Sequence, residues 1–433
     1  MKKTMILVLA CALLFGAIFP VMAAAEKEAA AAVPVAISVQ VESSWLPHYQ
    51  AAIERVQAKF PNATITLIET GSFDHLDVID STAVTNPDVA DVFALPADRI
   101  YGLVKNEALA GIDARAMANN VGGFASYDAG LGGNFKINGE YMAFPYNIET
   151  LINFVNSANA RAAGLDMSKP VEFTALNHET MLVPAFNAWF GVALLNSAGV
   201  ELLGKDSKGV LFSDLTMDYA SLPADKKAVI LALFNYWKAH NTAGTPMWDS
   251  GAAWGYMDEQ FAPGKKAAIR LEGPWSTGAL TGHAGAENIQ ILPITQVTLN
   301  GKPLAHWKGG WGLGVNARVE DDAAKMAVAQ AIIEEIVNPK FAESLFKAAG
   351  KILENVPAAT YQASGLSAAD KTVIAAVVAS YKNAPARPLF TEWGQVWSTW
   401  ENGMLSWSAV KPATVEAAYS ELQAAFKAMM ANF

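Results

Sequence analysis

The six histidines, at positions 48, 75, 178, 240, 283 and 306, stand singly. None has the His-x-x-x-His or comparable spacing that would set two imidazoles on one metal ion, so no metal site is expected. No Gly-x-Ser-x-Gly elbow or Walker loop occurs, and Gly310-Trp311-Gly312-Leu313-Gly314 has its glycines at the wrong spacing for a phosphate-cradling turn. Carboxylates are plentiful, and an acid and base could be drawn from pairs such as Glu392 and Glu401, but no spacing marks any two as partners. Neither an enzyme nor a bound cofactor is expected.

The informative stretch runs Phe261-Ala-Pro-Gly264-Lys265-Lys-Ala267-Ala268-Ile-Arg-Leu-Glu-Gly273-Pro274-Trp275. Gly264 allows a turn, Ala267 to Leu271 form a buried strand of small and apolar residues, and Gly273-Pro274 ends pairing and favours a helix start. Trp275 then stands at a strand's carboxyl end. In open α/β sheets that end faces the ligand crevice, so a large flat ring there can wall a site.

The elements around this stretch alternate. A strand is predicted over 35–41, then a helix carried by Tyr49, Ala52, Ile53, Val56 and Phe60, then a strand over 64–68. Val89 to Leu95 is a continuous apolar run, as expected of a parallel strand buried on both faces, and Ile100 to Val104 with Leu109 opens another helix. The alternation predicts a doubly wound α/β lobe. After a glycine-rich stretch from Gly122 to Gly133, strands over 141–145 and 151–155 bracket a crossover between domains. Helical patterns dominate from Thr180 to His240, and a strand covers Ile289 to Leu292. Two late helices carry the stripes Met326, Ala329, Ile333, Ile336 and Val415, Ala418, Leu422, Phe426, Met429.

Taken in order, several segments resemble the family of extracellular solute-binding proteins that serve ABC importers, and within it the maltodextrin-type sugar binders. They are the first strand and helix, Asp88 to Leu109 with Asp98-Arg99, Ile137-Asn138-Gly139 to Pro145 followed by Glu149, the Gly264 to Trp275 block, and Gly309-Gly310-Trp311-Gly312. The resemblance covers nearly the whole chain after its leader. It implies two doubly wound α/β lobes joined by hinge crossovers, closing on a ligand without catalysis. One lobe is assigned to 33–146 with 298–350, the other to 147–297 with 351–433. The chain departs from the pattern at Leu95, where the maltodextrin binders carry an aromatic, and at Val183-Pro184-Ala185, where Phe186 comes one step late for their Glu-Pro-aromatic run. Both departures count against maltose itself and leave a different mono- or oligosaccharide equally open.

A sugar ligand also suits the residues themselves. A pyranose has a C–H face that stacks on an aromatic ring and a rim of hydroxyls that need hydrogen bonds, and the chain has 12 tryptophans and few basic clusters. Motif match nominates Trp275, Asp98, Arg99 and Glu149 as ligand contacts, and position after the first strand nominates Trp45. Phe186, Trp189, Trp311, Trp393 and Trp397 follow. Each ring could instead pack a core, as Trp237 in its apolar helix is expected to do. Asp98-Arg99 could be a solvated pair at a helix start, and Glu149 could cap the crossover.

Lys2 and Lys3, the apolar stretch Met5 to Phe19 and the small residues around Ala23 read as a secretory leader, Met1 to Ala23, followed by a linker over 24–32. Its removal takes away Cys11, the chain's one cysteine, so an oxidising compartment is tolerated with no disulfide, and a cleaved periplasmic shuttle is expected. The formal net charge of −10 becomes −12 once Lys2 and Lys3 leave. Such charge repels phosphate backbones, so no nucleic-acid partner is expected. The expected partners are a carbohydrate and the membrane permease subunits of an ABC transporter, bound by a monomer. The rival readings are a receptor for a peptide, polyamine or anion, a secreted polysaccharide hydrolase or lyase, and a tethered sensory module.

Overall fold

The computed structural model describes residues 34–433. The leader, Cys11 and the 24–32 linker lie outside the described residues.

Two mixed sheets organise the chain. The first has the strand order Ala63–Glu69, Val35–Val41, Val92–Pro96, Gly309–Val315, Phe144–Glu149. The first three run parallel, and Gly309–Val315 is antiparallel to both its neighbours. Val92–Pro96 is wholly buried, as its apolar run predicts, but only one of its two partners is parallel. The second sheet has the order Ile289–Pro293, Ile152–Asn156, Ile269–Glu272, Met181–Leu182. Here Ile152–Asn156 is antiparallel to the strands on either side. Each sheet with its helices makes one lobe, and the fold is α/β in two lobes.

Periodicity places most of the covering helices. Leu46–Lys59 turns His48, Tyr49, Ala52, Ile53 and Val56 inward, and Ala323–Ile336 and Ala342–Ala349 pack against it. Ala368–Lys382 lies on Ile289–Pro293 in the other lobe, and Val396–Val410 pairs with Val415–Met430. Trp237, Trp400 and Trp407 are fully buried there.

The expected helical span from Thr180 to His240 is broken in the structure. It holds the short strand Met181–Leu182, the helix Ala188–Leu195, a hairpin of Gly204–Lys205 with Leu211–Phe212, and only then the helix Ala224–Ala243. Local turn chemistry decides this: Asn187 caps the first helix by accepting from the Trp189 N–H, and Asp206 accepts from the N–H groups of Lys208 and Val210 in the hairpin turn. The glycines of Gly310-Trp311-Gly312-Leu313-Gly314 have a packing role. A Cβ at Gly310 would meet the Leu131 side chain at 2.5 Å and one at Gly312 the Phe135 ring at 2.7 Å, so glycine lets neighbouring segments close on a buried strand.

Candidate ligand-binding cleft

The carboxyl ends of strands from both sheets converge on one cavity of about 1150 Å³. Glu42 follows Val35–Val41, Asp98 follows Val92–Pro96, Glu149 ends Phe144–Glu149, and Glu272 to Trp275 end Ile269–Glu272. Trp45, Asp98, Arg99, Glu149, Trp189, Trp275, Trp311, Trp393 and Trp397 all line it. Phe186 is the nominated residue the structure leaves out. Its ring is fully buried below the wall, and Asn187, the helix cap beside it, reaches the cavity instead.

The rings in the wall are not equally available. Trp45 is 3% exposed and Trp311 5%, whereas Trp275 is 45% exposed and Phe73, from the helix Ser72–Ser81, 58%. Trp311 is occupied on several sides. Its indole N–H donates to Glu149 Oε2 at 3.0 Å, the Lys351 ammonium lies 4.5 Å from its ring centroid, and Phe73 meets it edge-to-face at 5.4 Å. Lys351 also stands 5.0 Å from the Trp45 centroid, so these two indoles form its cage. Trp275 folds back over Gly273, where a Cβ would lie 2.1 Å from the ring, so glycine is required for this placement.

A second cation sits deeper. The Arg387 guanidinium lies 4.9 Å from the Trp189 ring centroid and 5.9 Å from that of Trp397, and its Nη2 is 2.7 Å from Asp98 Oδ1. Arg387 stands in the irregular segment after Ala368–Lys382 and Asp98 just after the strand Val92–Pro96, so this pair joins two segments distant in sequence at the cleft floor. His306 fixes the same corner. Its ring packs 4.3 Å from Trp189 and its Nε2 hydrogen-bonds the Trp189 carbonyl at 2.9 Å; burial first, then Arg387, pushes its pKa down to about 3 and keeps it neutral. Burial holds the Glu149 carboxyl above the usual range against the pull of Lys351 and Arg387, and burial lowers the Lys351 ammonium against the pull of Glu149. Arg99 pairs with Asp80 at the more exposed rim.

Lys351, Arg387, Glu272 and Phe73 were not nominated from sequence. Lys351 and Arg387 lie in irregular segments, and Phe73 is the second residue of a short helix, so no periodic pattern points to them. Glu272 had a signal in its place beside Gly273 at the end of the predicted strand. Burial pushes its pKa from the ordinary 4.5 up to about 7, against the nearby Arg270 guanidinium. The folded residue therefore keeps its proton to about pH 7 while the unfolded one loses it near 4.5, and between those values the native state holds the extra proton. Stability is full below that window and falls as pH rises through it. Glu272→Gln is expected to remove on the order of 2 kcal/mol of this decline between pH 5 and 8, read from urea midpoints. Glu354, also raised to about 7 by burial, accounts for a residual slope. An unaltered slope in the variant would show that Glu272 keeps an ordinary carboxyl pKa in the folded protein.

No family model matches the sequence, and no curated protein sequence matches it. Solved structures do. The maltose-binding periplasmic protein MalE of Listeria monocytogenes, in complex with maltose, superposes with a TM-score of 0.69 at 19% identity, over 92% of this chain and 98% of that one. This chain has the two-lobed fold of the maltose-binding proteins. MalX of Streptococcus pneumoniae, in complex with maltopentaose, gives 0.69 at 19% identity over 90% and 99% of the two chains. The GacH receptor of Streptomyces glaucescens, described unliganded and with acarbose, gives 0.70 at 16% over 93% and 100%. The match spans both lobes, and at this identity it speaks for the fold. Among the described residues no helix is long and apolar enough to cross a membrane.

Proposed function

We propose that the chain is an exported substrate-binding protein of an ABC transporter, which captures a mono- or oligosaccharide between its lobes by hinge closure and delivers it to the membrane permease. The observation that carries this reading is the cleft itself, where carboxylates at the carboxyl ends of strands from both sheets share one wall with exposed indole and phenyl rings, a guanidinium and an ammonium. Flat apolar faces with polar groups at their edges are what a pyranose requires. The solved structures that share the fold include proteins in complex with maltose, maltopentaose and acarbose. The protein binds without catalysis, works as a monomer and resides in the periplasm after its leader is cleaved.

Thermal denaturation against a panel of monosaccharides and α- and β-linked oligosaccharides tests the reading. A ligand held only by the folded form at a hundred times its Kd adds about 2.7 kcal/mol, so at least one saccharide should raise the melting temperature with no release of reducing ends. A shift with peptides or polyamines alone, or the appearance of new reducing ends, would contradict it.

A further inference from the structure

We infer that Phe73 and Asp77 form a sugar subsite on the first lobe, opposite Trp275, a reading that rests on the carbohydrate function proposed above. The helix Ser72–Ser81 has two faces. Ser72, His75, Leu76 and Ile79 are buried, while Phe73, Asp77 and Asp80, at i, i+4 and i+7, form one stripe along the cleft wall.

The orientation of that stripe is built in. Ser72 Oγ donates to Glu42 Oε1 at 2.7 Å, Gln40 Nε2 donates to Ser72 Oγ at 3.2 Å, and His75 Nε2 accepts from the Ala90 N–H at 2.9 Å. With the first turn pinned on its inner side, Phe73 can only project into the cleft, where Trp311 buttresses it edge-to-face. More than half of its ring remains in water. Of the large apolar side chains most exposed among the described residues, Phe73 and Trp275 are the two that line the cleft, and they come from opposite lobes.

Leu95, in the strand Val92–Pro96, is fully buried and does not line the cleft. Trp45 and Trp311 are committed to Lys351. Phe73 is therefore the free aromatic face of the first lobe. One turn along the same stripe, Asp77 offers carboxylate oxygens to the hydroxyl rim of a sugar stacked on that ring, while Asp80 is spent on Arg99. A sugar between Phe73 and Trp275 covers apolar surface of both lobes at once, which favours the closed state over the open one.

The test is calorimetric titration of the whole chain and its variants with a panel of gluco-, manno-, xylo- and galacto-oligosaccharides and their monosaccharides. Phe73→Ala should weaken the tightest saccharide about tenfold or more, the range of aromatic stacking. Phe73→Trp should restore affinity, and Asp77→Asn should weaken it while leaving the melting temperature of the free protein unchanged. Leu231→Ala, which removes an exposed side chain outside the cleft, is the control and should bind as the parent does. Parental affinity in Phe73→Ala would overturn the subsite and leave the carbohydrate reading standing. Failure of the parent chain to bind any saccharide in the panel would overturn both.

Discussion

Arg387→Ala is expected to cost about 3–5 kcal/mol of folding stability, because the substitution strands buried carboxylates that the guanidinium now neutralises. The side chain of Arg387 is 5% exposed and that of its partner Asp98 15%, so solvent replaces little of the lost charge. Glu149 feels the same cation and is itself buried. Part of the loss is packing, since the guanidinium covers the faces of Trp189, Trp307 and Trp397. Guanidinium chloride unfolding measures it. A loss under about 1 kcal/mol would place the pair with ordinary surface salt bridges. The double variant Arg387→Met with Asp98→Asn should recover much of the stability, because it removes both charges together.

Trp275→Ala is expected to weaken carbohydrate binding by about 1–3 kcal/mol, the scale of stacking on an aromatic ring. The ring is half in water and folds back on a glycine, so its removal leaves no large cavity and should change the stability of the free protein little. Isothermal titration of the folded variant checks this. Parental affinity would remove Trp275 from the site. The prediction separates it from Trp311, whose buried indole bonds Glu149 and cages Lys351, so that truncation there should lower stability as well as affinity.

Many strands and long helices were legible because they announce themselves by period, while their division into two lobes was implied by the resemblance to the solute-binding family. The strand through Val35–Val41, the helix Leu46–Lys59 and the C-terminal helix Val415–Met430 fall where alternation and i, i+3, i+4 spacing put them. The region after Thr180 was less legible, since capping and turn residues such as Asn187 and Asp206 cut an apolar stretch that periodicity alone reads as helix. Trp275 was readable from the strand and stop before it. Arg387 and Lys351 were not, because each gains its place from rings distant in sequence: Trp189 and Trp397 around one, Trp45 and Trp311 around the other. Phe186 shows the converse, a ring next in sequence to a cleft residue yet turned into the core. Sequence order selects the residues near a strand end, and tertiary packing decides which of them face the cleft.

The central claim is that the cleft between the lobes binds a carbohydrate. Isothermal titration of the mature chain with the saccharide panel tests it most directly. The account predicts saturable one-to-one binding of at least one sugar with a negative heat-capacity change, as apolar ring faces of both lobes leave water. The absence of binding heat across the panel, with saturable binding of a peptide or polyamine to the same protein, would contradict it.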